Sequence, residues 1–255
     1  MSTVKSLLER AKSHLQEIIA DNNLLDAEIS VLAKPLTPEE AIGTPGRRDF
    51  PIIEGKERMI EAQILGAKGQ SFTDSPGEFI GKLGDVIELE LSNNKNRAIF
   101  IAAMNAVLRY LNIADGTVHC RDMEPEKCAP EIAEFIHNKY GKIKVGLVGL
   151  NPAIAEALVD KFGAENIANT DLNRENIGKE KFGITIMDGR SDTEELVQKS
   201  DIILITGTTI VNNTLDGILR FVKKHDKKYI IYGVTAAGVC QLLGLNRICP
   251  YGRDE

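Results

Sequence analysis

The sequence predicts an α/β fold: an irregular α+β part followed by a doubly wound, mostly parallel sheet. Three observations carry this. After residue 128, short runs rich in Ile and Val alternate strictly with helical patterns, the order of a parallel sheet covered on both faces. Before residue 115 the order is helix, extended runs, then helices, which is α+β. Polar turns follow the apolar runs of the second part, at the end where such sheets bind ligands. The chain therefore divides into domains at 1–114 and 115–255, with 115–128 as a bridge.

Along the first part, Val4, Leu7, Leu8, Ala11, Leu15, Ile18 and Ile19 recur at helical spacing over 2–20. A strand fits LLDAEISVLA at 24–33, and the Pro/Gly-rich KPLTPEEAIGTPGRRDFP reads as a loop. A second extended run fits 60–73, and helices fit 82–90 and 95–112. In the second part strands fit 143–149, 165–170, 183–187, 201–205 and 228–233. Helices fit 152–162, 192–199, 211–224 and 236–243.

Composition narrows the function. Of 255 residues, 43% are hydrophobic and 27% charged, as in a globular protein. The net charge of −6 argues against nucleic acid or an anionic membrane as partner. There is no Trp and aromatics are 5%, so a stacking platform for single strands is not expected. No apolar run approaches the roughly 18 residues of a membrane span. MSTVKSLLERAKSHL is amphipathic, unlike a secretion signal. The expected location is the cytoplasm. For assembly, base rates favour a homodimer.

The strand ends hold the candidate binding residues. ITGTTIVNNTLDG follows the strand at 201–205 and places Thr206, Gly207, Thr208, Thr209, Asn212, Asn213 and Thr214 in one turn. One capping residue would satisfy a helix start, so this density points to a ligand-facing turn. Asn151 precedes Pro152 as a helix cap, Asp171 ends a strand with Asn173 beyond it, and Thr235 follows IIYG. Gly146, Gly149 and Ala153 resemble a dinucleotide fingerprint but lack its second glycine. Asp171 sits where a ribose-binding acid would sit. An enzyme using S-adenosylmethionine or NAD is thus one alternative. In the first part, KGQSFTDSP is the dense polar cluster, with Gln70 and Thr73 as contacts. Arg47 and Arg48 read either as an anion clamp or as a solvated loop.

Four cysteines, Cys120, Cys128, Cys240 and Cys249, lack the short spacings of a structural zinc site. His119, Cys120, Cys128 and Cys249 are the candidate metal ligands. Packing as small hydrophobes is the other reading. No Ser-His-Asp arrangement or His-rich metal motif stands out, so neither turnover nor a catalytic residue is assigned.

In order, RRDFPIIEGKE, GQSFTDSP, HCRDMEPEKCA, GLVGLNPA, DLNRENIG, TGTTIVNNTLDGIL, YGVTAAGV and CPYG resemble an uncharacterised family described as putative heavy-metal chelation. The resemblance runs from about Leu7 to Gly252. It implies an enolase-N-terminal-like domain followed by a Rossmann-like domain, with a site in the cleft between them. It also implies heavy-metal chelation, or condensation or hydrolysis of pterin-, flavin- or siderophore-like molecules. The leading expectation is a small anionic or metal-chelating ligand in that cleft. The alternative is a non-catalytic module holding a transition metal or metal chelate.

Overall fold

The computed structural model describes residues 5–31, 35–55 and 57–254. Helix α1 (Leu7–Asp21) begins where Ser6 accepts from the Glu9 amide and Glu9 accepts from the Ser6 amide, a reciprocal capping box. It buries Leu8, Ala11, Leu15 and Ile19 at the expected spacing; the expected contributions of Val4, and of Leu32 and Ala33 in the next strand, lie outside the described residues. Strand β1 (Glu28–Val31) is followed by α2 (Pro38–Ile42), which lies inside the stretch expected to be loop. The single extended run expected over 60–73 is a hairpin of β2 (Arg58–Ile64) and β3 (Ala67–Thr73). Its turn, Leu65–Gly66, has φ of 48° and 86°, the positive values that a two-residue hairpin turn demands.

The helix expected over 82–90 is instead β4 (Phe79–Lys82) followed by the short α3 (Leu83–Ile87). Together β3-β2-β1-β4 form an antiparallel sheet. Helix α4 (Asn94–Tyr110) is buried continuously from Arg97 to Leu108. A helix apolar all round must be covered on every side, and α4 packs on β2 and β3 with one flank and on the second part with another. Burying each Leu, Ile or Val there contributes about 1.5–3 kcal/mol. At Gly69 a Cβ would lie 2.2 Å from the Ala106 amide nitrogen, so only glycine lets β3 cross α4 this closely.

Helix α5 (Glu124–Tyr140), which overlaps the expected bridge, contains Pro130. The sheet of the second part is built from β5 (Val145–Val148), β6 (Ile167–Asp171), β7 (Glu180–Lys181), β8 (Ile184–Asp188), β9 (Ile202–Thr206), β10 (Lys228–Tyr232) and β11 (Arg247–Ile248). Its order is β11-β10-β9-β5-β6-β8-β7, parallel except for β7. The helices are α6 (Pro152–Phe162), α7 (Thr193–Lys199), α8 (Thr208–Val211), α9 (Leu215–Lys224) and α10 (Ala237–Leu243). The helix expected over 211–224 is α9, starting at Leu215; the expected turn before it holds the short α8, and the two are parted where Asn213 takes φ 57°.

Strand alternation sorts the core. Ile202 and Leu204 face a cluster with α5, α6, Phe50 and Met59. Ile203 and Ile205 face a cluster that runs through α7, α9 and α10 into α4, β2 and α1. The second cluster thus joins residues on both sides of position 114. Asn105 of α4, fully buried, ties the two parts. Its Nδ2 donates to the Gln70 and Val234 carbonyls at 2.9 and 3.1 Å, and its Oδ1 accepts from the Gly238 amide at 2.8 Å. Arg47 is no open clamp, because it forks onto Asp49 and reaches Glu156 of α6.

Candidate ligand-binding cleft

Reading the six parallel strands in chain order gives β5, β6, β8 one way and β9, β10, β11 the other. That is the doubly wound order 3-2-1-4-5-6, whose switch point lies between the first and fourth strands. Here it falls between β5 and β9. The turn after β5 contains Gly149, at φ 86°, where a Cβ would sit 2.5 Å from Thr206 Cγ2 at the end of β9. The two turns are in contact because Gly149 has no side chain.

From this point opens a cleft of about 2030 Å³, lined by β3, the 49–57 loop, the 119–128 segment and the carboxyl ends of the parallel strands. Thr73, His119, Cys120, Cys128, Gly149, Asn151, Asp171, Asn173, Thr206, Gly207, Thr208, Thr209, Asn212, Thr235 and Cys249 all line it. Gln70 does not. Its Nε2 donates to Glu61 Oε2 at 2.8 Å and its Oε1 accepts from the His119 amide at 2.7 Å, so it fixes β3 to the 119–128 segment.

Several candidates are held by internal bonds. Thr209 Oγ1 donates to the Thr206 carbonyl at 2.7 Å, and Thr214 Oγ1 to the Thr209 carbonyl at 3.3 Å. Asn151 Oδ1 accepts from the Ile154 amide and caps α6. Thr235 Oγ1 accepts from the Phe72 amide at 3.1 Å. Asp171 accepts from the Asn173 amide at 3.1 Å and from Asn176 Nδ2 at 2.6 Å. Asn173 Oδ1 and Thr73 Oγ1 accept from the Glu175 and Ser75 amides. Thr206 and Thr208 pair with each other at 3.2 Å, Thr206 also bonds the Tyr232 side chain, and both threonines line the cleft.

The residues that sequence reasoning missed come from distant segments. Arg97, 7% exposed, donates to the Val211 and Leu91 carbonyls and to Asn94 Oδ1. Burial lowers its pKa, partly offset by Asp74. Asn94 Nδ2 donates to Asp74 Oδ1 at 2.9 Å and to Asn212 Oδ1 at 3.3 Å. Glu57 also lines the cleft; burial, then Asp171 and Asp74, push its carboxyl up to about 7. Tyr232 ends β10 at the same edge, and burial raises its phenol. Only Tyr232, closing an apolar strand next to Gly233, carried a signal of the kind that found Thr206.

His119 Nδ1 lies 2.6 Å from the Cys120 carbonyl. A carbonyl only accepts, so Nδ1 carries the proton and Nε2 is the open nitrogen. Burial lowers this imidazole to about 4. Burial, then Cys128 and Cys249, push the Cys120 thiol up, and burial and Cys249 push Cys128 up to about 12. The Cys120 sulfur, 3.7 Å from the ring, thus faces a neutral imidazole as a neutral thiol, not as an activated thiolate. The four candidate metal ligands share the cleft. Even so, among the described residues no group of three or more His, Cys, Asp or Glu is placed to hold a metal ion. Among those residues, too, no helix is long and apolar enough to cross a membrane.

Residues 131–244 match the family described as putative heavy-metal chelation, DUF364, and the resemblance read from the motifs holds. Two solved structures from that family share the fold. A protein of unknown function from Pyrococcus horikoshii superposes with a TM-score of 0.51 at 17% identity, covering 91% of this chain and 80% of that one. One from Desulfitobacterium hafniense DCB-2 gives 0.54 at 14%, covering 94% and 83%. Likeness at these identities speaks to fold alone. No curated protein matches the sequence.

Proposed function

We propose that the chain, similar over residues 131–244 to a family described as putative heavy-metal chelation, binds a small metal-chelating or anionic molecule in this cleft. We place the cleft between an N-terminal domain of residues 1–114 and a C-terminal domain of residues 115–255. The carrying observation is the turn at the switch point. Thr206 and Thr208 open into the cleft beside Gly149, where doubly wound sheets take their ligands. Arg97, buried, hydrogen-bonded to carbonyls and an amide and within reach of the Asp74 charge, supplies positive charge.

Binding is better supported than condensation or hydrolysis of a pterin-, flavin- or siderophore-like compound. Of the lining residues, the contact closest to a nucleophile and its base is Cys120 with His119, and both are neutral at pH 7. A second reading, a module holding soft metal ions, rests on Cys120, Cys128 and Cys249 meeting in one cleft. Metal content of untagged protein, before and after Cys128→Ala, separates the two.

The test is a thermal-shift screen with ferric and cupric hydroxamate and aminocarboxylate chelates, a pterin, a flavin, S-adenosylmethionine and NAD. A ligand at a hundredfold excess over its Kd stabilises by about 2.7 kcal/mol, about 5–10 °C for a chain of this size. In the Thr208→Ala/Asn212→Ala double variant, the shift should vanish while unfolding stays cooperative. An unchanged shift would overturn the assignment.

A further inference from the structure

The antiparallel sheet β3-β2-β1-β4 has two edges that differ. The β3 edge is covered: the Gln70 amide donates to the Thr117 carbonyl at 2.9 Å, and Thr117 Oγ1 donates to the Lys68 carbonyl at 2.8 Å. The β4 edge is bare, with β1 on one side and no strand on the other among the described residues. Antiparallel partners alternate between pairs that exchange both backbone hydrogen bonds and pairs that exchange none. The Leu83 amide donates to the Ala27 carbonyl at 2.9 Å, so 83 and 27 are a bonding pair. Gly81 then bonds Ile29 and Phe79 bonds Val31, and the N–H and C=O of Ile80 point away from β1. Lys82 is in the same phase, because its amide turns outward to Asp85 Oδ2 at 3.3 Å.

Exposed edges are commonly blunted by a charge, a proline or a bulge at their centre. The centre of β4 is instead Ile80, 81% exposed, the most exposed large hydrophobic side chain among the described residues. Gly69, Ala62, Val31 and Phe79 lie in one row across the sheet, on the face that Gly69 presses against α4. By alternation Glu78, Ile80 and Lys82 share the opposite, outer face. The order Glu78, Phe79, Ile80, Gly81, Lys82 is self-complementary about its middle. With Ile80 facing Ile80 of an antiparallel copy, Glu78 falls opposite Lys82 and Phe79 falls opposite Gly81. Opposite charges and a large side chain against none are the favourable cross-strand pairs. Lys82 already meets Asp26 at 2.6 Å at the surface, and its ammonium has further N–H donors for a second carboxylate.

We propose that this edge is an interface between two copies of the chain, in which β4 pairs antiparallel with β4 of the second copy about Ile80. Two four-stranded sheets become one of eight strands. The Ile80 N–H and C=O groups exchange bonds across a two-fold axis, the two Ile80 side chains meet on the outer face, and a Glu78–Lys82 pair closes each end. So short a pairing covers less than the roughly 1,200 Å² of a standard interface, so the dimer should be reversible and depend on concentration. None of Glu78 to Lys82 lines the cleft, which makes assembly separable from ligand binding.

The test is sedimentation velocity of the full chain over a roughly thousandfold range of concentration, which should show a reversible monomer–dimer equilibrium. Ile80→Pro removes the outward N–H and no bond to β1, and should weaken the dimer at least about tenfold while unfolding stays cooperative. Should that variant disturb the sheet, Ile80→Lys keeps the amide and sets two ammonium groups across the axis, with the same loss expected. Glu78→Lys and Lys82→Glu should each weaken the dimer at least about threefold, and the double exchange should restore it, because each end pair is re-formed with its signs reversed. A chain that stays monomeric throughout the range would overturn the inference. So would a dimer indifferent to the Ile80 variants, or a double exchange that dimerises no better than the single ones.

Discussion

Glu57→Gln should stabilise the ligand-free protein at pH 8 and leave it nearly unchanged at pH 5. The folded state raises this carboxyl from its ordinary 4.5 to about 7, chiefly by burial and then by Asp171 and Asp74. Each unit of pKa difference between folded and unfolded states corresponds to about 1.4 kcal/mol, and the rise from 4.5 to about 7 gives about 3.5 kcal/mol. Partial contact with solvent screens the charge and reduces this to about 2 kcal/mol. The direction follows from proton binding. Below the ordinary value both states hold the proton and nothing is lost. Between roughly pH 4.5 and 7 the unfolded chain releases it first, so stability falls with rising pH; above that range the loss is complete. Gln carries no charge and escapes the loss. Urea denaturation followed by circular dichroism at pH 5 and pH 8 reads the difference. In thermal melts it amounts to about 4–8 °C at pH 8. A gain of equal size at both pH values, or none at pH 8, would refute the crowding of carboxylates around Glu57.

Asn105→Ala should cost about 2–4 kcal/mol in urea denaturation, because it strands the Gln70 and Val234 carbonyls and the Gly238 amide in the interior; a loss under about 1 kcal/mol would deny it that role. Gly149→Ala should lower Tm through both its φ of 86° and the 2.5 Å approach to Thr206 Cγ2. Adding Thr206→Ser should restore part of that loss, and no restoration would dismiss the steric share. Cys128, pushed up to about 12, should react with iodoacetamide at pH 8 at least about a hundredfold more slowly in native than in urea-denatured protein. Comparable rates by mass spectrometry would contradict its burial beside Cys120 and Cys249.

The parallel sheet was legible because GLVG, DIILI and KYIIY are short β-branched runs closed by turns. Helix α5 was not, since Pro125 and Pro130 mimic the punctuation of a loop, although Pro125 falls in the first turn, where a missing N–H costs nothing. The short α8 inside the polar turn, and its end at Asn213, were hidden because Asn adopts a left-handed conformation only where tertiary context asks for it. In the cleft, the strand-end turns stood out by polar density alone. Gln70 was drawn in by the same density, yet it is a bridge between β3 and the His119 amide. Glu57 and Arg97 escaped because their meaning is set by partners far along the chain, whereas Asp74 lies inside the polar cluster KGQSFTDSP that already stood out. Asn94, for instance, reaches Asn212, 118 positions away. Periodicity records which face of an element is buried, and it holds no record of which loop will stand opposite.

Because α4 is packed into the core of both parts and riveted through Asn105, sliding or swinging the flanks of the cleft apart would mean parting a shared apolar core. Proteins that clasp their ligands do so by rotating rigid bodies about a few loop residues, and that motion would here tear open a continuous apolar interior. The aperture is preset. A ligand held there as proposed would then be selected at the rim, by size and charge on arrival, and would exchange with bulk water instead of being sealed away from it.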